Sequence, residues 1–156
     1  MIHLKRILVP TDFSEHSEHA AAYAAELARR FDVEVVHCLH VSDIPADLLA
    51  TSGYYMTGPS EQFIDQVREE SRKSLDEFAK KHLPDLPVET VFLEGRPFVE
   101  IIRYAREKEI GLIVIATHGR TGIQHALFGS VAEKVVRKAP CPVLVVKAQE
   151  REFVMP

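Results

Sequence analysis

The chain has 156 residues, of which 46% are hydrophobic, and seven glycines, enough for one compact domain with a real core and too well balanced for a disordered segment. Its 19 basic and 23 acidic residues are interleaved and leave a formal charge of −4, so no large positive field is available to grip a nucleic-acid backbone. Cys38 and Cys141 lie in apolar runs with no CxxC spacing, which fits reduced thiols in a cytoplasmic protein better than a disulfide framework. The apolar run near the N-terminus, ILVP, is too short for a secretory signal, and no segment approaches a membrane span.

In chain order the pattern alternates. Ile7 to Pro10 reads as a first strand. Ser14 to Phe31 follows as a helix, with Ala20, Ala21, Tyr23, Ala24, Leu27, Ala28 and Phe31 on one stripe. Val33 to Val41 is a second strand. Ser42 to Pro59 holds Pro45, Gly53, Gly58 and Pro59 with neither period prevailing, and reads as a long loop with one helical turn at Ala46 to Leu49. Ser60 to His82 is a long surface helix with apolar residues at Phe63, Ile64, Val67, Leu75, Phe78 and Ala79. Val88 to Leu93 is a third strand. Pro97 is placed for the first turn of a third helix carrying Phe98, Ile101, Ile102 and Ala105. Leu112 to Ala116 and Val143 to Val146 are a fourth and a fifth strand, and Ser130 to Lys138 between them is a helix with Val131, Val135 and Val136 facing inward. Short β-branched strands of this kind suit a sheet buried on both faces. The alternation implies a single α/β domain, residues 1–147, with an open parallel sheet, right-handed crossovers and helices on both faces, followed by a tail, residues 148–156.

In such a sheet a ligand sits past the carboxyl ends of the strands, where neighbouring connections turn opposite ways. Two loops carry the chemistry. Pro10-Thr11-Asp12 follows the first strand, and ATHGRTGIQHALFGS, residues 116 to 130, follows the fourth. Gly119, Gly122, Gly129 and Ser130 supply what a phosphate needs: backbone N–H groups without a shielding Cβ, then a helix N-terminus. The spacing is neither GxGxxG nor GxxxxGK[ST]. Asp12 and Ser14 both precede the first helix and either can cap it, while Ser130 with Glu133 has the form of a capping box.

LVPTDFSE near the start, LHV closing the second strand, EGRP before the third helix, and ATHGRTG with FGSVAEKVVRKAPCPVLVV together resemble the universal stress protein family over nearly the whole chain. The resemblance implies a five-stranded sheet of order 3-2-1-4-5, frequent dimerisation, and in one branch ATP binding through a G-x2-G-x9-G-(S/T) signature. Gly119, nine residues, and Gly129-Ser130 match its later part, and Ala116 stands at the first glycine position. Carried over residue by residue, Asp12 accepts from the ribose hydroxyls, Pro10 and Thr11 line the base side, and Val41 contacts adenine through its backbone. Gly119, Arg120, Gly129 and Ser130 hold the phosphates. Ala116, Gly122 and Val131 complete the nucleotide-binding set, and His118 is a secondary candidate that equally suits a bond to its own loop.

Other chemistry finds less support. His16 and His19 share a helix face without further ligands, and His37 and His40, an odd number apart on a strand, leave opposite faces of the sheet. No nucleophile-elbow pattern is present, and Asp12 is the single acid placed at the crevice, thin support for phosphoryl transfer. The expectation is an ATP-binding stress-response or regulatory protein with little or no turnover, Mg²⁺ accompanying the triphosphate, acting through an unidentified protein partner. It is expected to be a homodimer through the Val143 to Val146 edge, with no nucleic acid and no membrane. Two alternatives stand beside it: a dimeric interaction protein that binds no nucleotide, and a slow nucleotide hydrolase or adenylyl-transfer enzyme.

Overall fold

A computed structural model describes residues 4–43, 61–117 and 129–147. Five strands, β1 (Arg6–Pro10), β2 (Val35–Ser42), β3 (Val88–Glu94), β4 (Leu112–Ala116) and β5 (Val143–Val146), form one sheet in the order β3-β2-β1-β4-β5, and each neighbouring pair is parallel. The helices are α1 (Glu15–Arg30), α2 (Glu61–His82), α3 (Pro97–Glu107) and α4 (Ser130–Lys138). The expected architecture and strand order are both present. The 42–59 loop beyond Asp43, the helical turn expected at 46–49 and the tail 148–156 lie outside the described residues.

The period of two along each strand divides the core. Ile7, Val9, Val36, Cys38, Val114, Ala116 and Val146 face one side, where Ala20, Ala21, Ala24, Ala25 and Ala28 of α1 and Leu75, Phe78 and Ala79 of α2 cover them. Leu8, Leu39, Ile113 and Ile115 face the other, under Ile101, Tyr104 and Ala105 of α3 and Ala132 and Val135 of α4. Leu8, Leu39 and Ile113 are among the largest side chains with no exposure, and burial of each contributes about 1.5–3 kcal/mol. β3 departs from the expectation of a strand covered on both faces: its residues are half-buried or exposed, because it closes the sheet on one edge.

The inward assignment of Val136 is corrected, and the apolar patterns of α1 and α2 are covered only in part. Tyr23, Phe31, Phe63 and Val136 are 42%, 50%, 55% and 47% exposed. In α1 the contact is made by alanines, which bring the helix so close to the sheet that larger residues at the rim of the stripe are left outside it. In α4 the inward partner of Val135 is Ala132. Pro97 opens α3 as anticipated, after the N-cap Arg96 and Gly95, whose φ of 139° suits glycine and whose added Cβ would lie 3.1 Å from Cγ of Glu100.

Candidate functional site

β1 has β2 on one side and β4 on the other, and the connections from β1 and β4 leave in opposite directions along the sheet order. The β1–β4 ladder registers Ile7 with Leu112 and Leu8 with Ile113, and goes no further. Past that point each strand stays with its outer neighbour. Thr11 N–H donates to Leu39 O of β2 at 2.8 Å, and Thr117 N–H donates to Val146 O of β5 at 3.0 Å. The carboxyl rim therefore opens between β1 and β4, the place where a doubly wound sheet makes a crevice.

The β1 side of this opening is a short turn closed on itself. Ser17 Oγ donates to Ser14 O at 2.8 Å, so the 2.9 Å contact between the buried hydroxyls of Thr11 and Ser17 has Thr11 as its donor. Phe13 N–H in turn donates to Thr11 Oγ1 at 3.0 Å. Ser14 resolves the capping question: it is the N-cap of α1, with its oxygen accepting from Ser17 N–H at 3.3 Å. Asp12 instead organises the cap, its Oδ1 accepting from Ser14 N–H at 3.1 Å and from Ser14 Oγ–H at 2.5 Å. Between them Phe13 has a φ of 64°, a conformation costly for a bulky residue. Its ring lies 4.3 Å from that of His40 and 6.1 Å from that of Phe78, a packing that offsets the cost.

His40 also reaches the turn through its polar edge. Its Nδ1 lies 2.8 Å from Thr11 O, and since a carbonyl only accepts, Nδ1 carries the proton. That nitrogen is thus engaged with main chain and is not set to activate a hydroxyl nucleophile. His37 and His40 leave opposite faces of β2, as their odd spacing implies. His37 packs on the α3 side, 2.9 Å from the hydroxyl of Tyr104 and 3.6 Å from Glu89 Oε2, and its burial lowers its pKa, an effect that Glu89 opposes.

The β4 side is built of main chain. Gly129 N–H donates to Thr117 O at 2.6 Å, which ties the start of α4 to the end of β4. Gly129, with φ −67° and ψ 155°, is the N-cap, and having no side chain it leaves the first-turn donors of α4 without a capping oxygen of its own. This corrects the capping-box reading: Ser130 is the first helical residue, exposed, and Glu133 is paired with Arg137 at 3.1 Å. Ala116 is buried among Ile7, Val9 and the α1 alanines, so its methyl group occupies core on the α1 face.

Of the expected site residues, Pro10, Thr11, Asp12, Ala116, Gly129, Ser130 and Val131 are described and stand at the ends of β1 and β4 and the start of α4. Val41 is half-buried near the end of β2, packed against the α3-side core. His118, Gly119, Arg120 and Gly122 lie outside the described residues. Sequence reasoning missed Phe13, Ser17 and Thr117. Serine three residues after an N-cap is a legible signal for Ser17, but nothing local marks a phenylalanine for positive φ.

Among the described residues no group of three His, Cys, Asp or Glu side chains is placed to hold a metal ion. Both cysteines are free; burial pushes the Cys38 thiol up to about 12 and also raises that of Cys141. No helix among the described residues is long and apolar enough to cross a membrane.

The sequence model of the universal stress protein family matches residues 3–147. The chain belongs to that family. It is 38% identical over 150 residues to universal stress protein MJ0531 of Methanocaldococcus jannaschii, covering 95% of this chain and 85% of that one. The solved structure of MJ0577, a second universal stress protein of that organism, superposes with a TM-score of 0.77 at 30% identity, over 97% of this chain and all of the other. The universal stress protein of Archaeoglobus fulgidus, solved in complex with dAMP, shares the fold with a TM-score of 0.60 at 24% identity, over 93% of this chain and 98% of that chain.

Proposed function

We propose that this universal stress protein binds ATP in the crevice between β1 and β4 and acts as a stress-response regulator, nucleotide occupancy altering its conformation or its choice of protein partner with little or no turnover. The observation that carries the reading is the parting of the rim: Thr11 is tied to β2 and Thr117 to β5, with Asp12 on one lip and the uncapped start of α4 on the other. Asp12 offers a carboxylate to ribose hydroxyls, and the first-turn N–H groups at Ser130 and Val131 suit a phosphate, with the helix dipole favouring negative charge. The burial of the Ala116 methyl in the core counts against the interaction-only alternative, whose support was the added Cβ at that position. The same fold holds dAMP in the Archaeoglobus fulgidus protein. Gly119, Arg120 and Gly122, on the sequence signature, complete the phosphate site, with Pro10, Thr11 and Val41 on the base side and His118 in support. Mg²⁺, held by the phosphate oxygens and water, would neutralise the remaining charge.

Titration with labelled ATP and AMP tests this: saturable ATP binding at cellular nucleotide concentrations is expected, and its absence would remove the nucleotide reading. Mass spectrometry of small molecules released from freshly purified, denatured protein identifies the nucleotide carried. Rapid release of ADP or AMP on mixing would instead favour the enzyme alternative. β5 ends the sheet and pairs with β4 on one side. Homodimerisation through that edge belongs to the same proposal, and sedimentation showing only monomer at micromolar concentration would refute it.

A further inference from the structure

We infer that His40 is a positioning residue for the ligand site, setting the height and direction of the Asp12 turn chiefly through the hydrogen bond from its Nδ1 to Thr11 O. Thr11 is held from three directions: its N–H by Leu39 O, its hydroxyl by Phe13 N–H and Ser17, and its carbonyl by His40 Nδ1 at 2.8 Å. The first two anchors come from β2's backbone and from within the turn. The third alone runs from a side chain in the α1-side aromatic cluster to the peptide that joins Thr11 to Asp12. That peptide fixes where the Asp12 carboxylate begins, and the next residue, Phe13, is in a strained conformation that the surroundings must impose.

The same imidazole meets the strain directly. Its ring lies 4.3 Å from the Phe13 ring and 6.0 Å from Phe92, over which the Arg72 guanidinium also lies, 4.7 Å from the ring centroid. His40 thus acts on both sides of Asp12, through the carbonyl that precedes it and the side chain that follows it. Removing the hydrogen bond leaves the Thr11 carbonyl without this donor, and the turn can relax by letting Phe13 return to negative φ, which rotates Asp12 away from the crevice.

The inference rests on the nucleotide reading for its affinity measurement, and the exchange measurement below is independent of it. His40→Phe keeps a ring against Phe13 and Phe92 and deletes the donor. His40→Asn places an amide donor at the position of Nδ1 and deletes the ring. ATP affinity is expected to fall roughly tenfold in H40F at unchanged folded fraction, and to return to within about threefold of the parent in H40N. Amide hydrogen exchange at Phe13 and Ser14 is expected to accelerate about tenfold in H40F and much less in H40N. Parental ATP affinity and parental exchange in folded H40F would overturn the inference, as would loss of affinity in H40N equal to that in H40F. Should H40F fail to fold, His40→Leu carries the same expectations. If the parent protein binds no ATP, the nucleotide reading fails, while the exchange rates of the variants still decide whether His40 holds the turn.

Discussion

On the β1 side of the crevice, Thr11, Asp12, Ser14 and Ser17 bond to one another, to β2 and to His40; on the β4 side, Gly129 contributes main chain alone. The first lip presents a carboxylate whose position is fixed by several partners, at the cost of a strained Phe13. The second presents N–H groups that no neighbouring side chain from the cap position answers. In the proposed nucleotide complex the lip with cross-linked side chains would meet the geometric demand and the lip without them the bulky anion, because a phosphate is satisfied by any convergent donors whereas a ribose diol needs one acceptor at one place.

The contrast breaks most sharply at Gly129. Gly129→Asp fits the observed backbone angles and is a better cap, so the stability of α4 should rise by a few tenths of a kcal/mol. The new carboxylate would take the donors and repel phosphate, so ATP affinity should fall roughly a hundredfold, and titration beside urea denaturation reads the opposing signs. Asp12→Ala tests the other lip. Losing the acceptor should weaken ATP binding about thirtyfold and leave the affinity for inorganic triphosphate nearly unchanged, since only the nucleoside end is touched.

A smaller effect separates capping from recognition. Ser14→Ala removes the N-cap of α1 and one of the two donors on Asp12 Oδ1, and is expected to cost about 1 kcal/mol of unfolding free energy, measured by denaturant midpoint. Its effect on affinity should be below fivefold, because Ser14 N–H still holds Asp12.

The smallest expected effect concerns the opposite face of β2, as a control. Burial lowers the pKa of His37, and of His82, below the ordinary 6.5, so the unfolded chain binds more protons in the window below that value. Stability is then full above about pH 6.5 and falls as the pH drops through the lowered values. His37→Phe, which also gives up the Tyr104 bond, should flatten this loss in urea denaturation between about pH 7.5 and 5.5 while leaving ATP affinity at neutral pH unchanged.

Much of this organisation was legible in the residues. β-branched runs located all five strands because burial on a pleated surface selects those side chains, and Pro97 marked α3 because its ring suits only the first turn. The inward faces of helices were less legible. A stripe of apolar residues says which way a helix leans, but how much of the stripe is covered depends on its distance from the sheet, so Tyr23 and Phe63 ended in solvent. At the candidate site, Asp12 and Gly129 were visible as residue types in the loops that the fold places beside the β1–β4 opening. Phe13 and His40 were not visible in these roles: one adopts a conformation its type disfavours, and the other acts across a strand pairing that no local pattern specifies.

The alanine face of α1 has one more implication. With Ala20, Ala21 and Ala24 at zero exposure against β1 and β4, this helix is seated on the sheet with no side-chain length to give, like a splint bound against bone. A rod so seated cannot tilt without opening voids along its whole length, so if the proposed nucleotide binds, the answering shift is expected at the start of α4, where Gly129 N–H meets Thr117 O, rather than in α1.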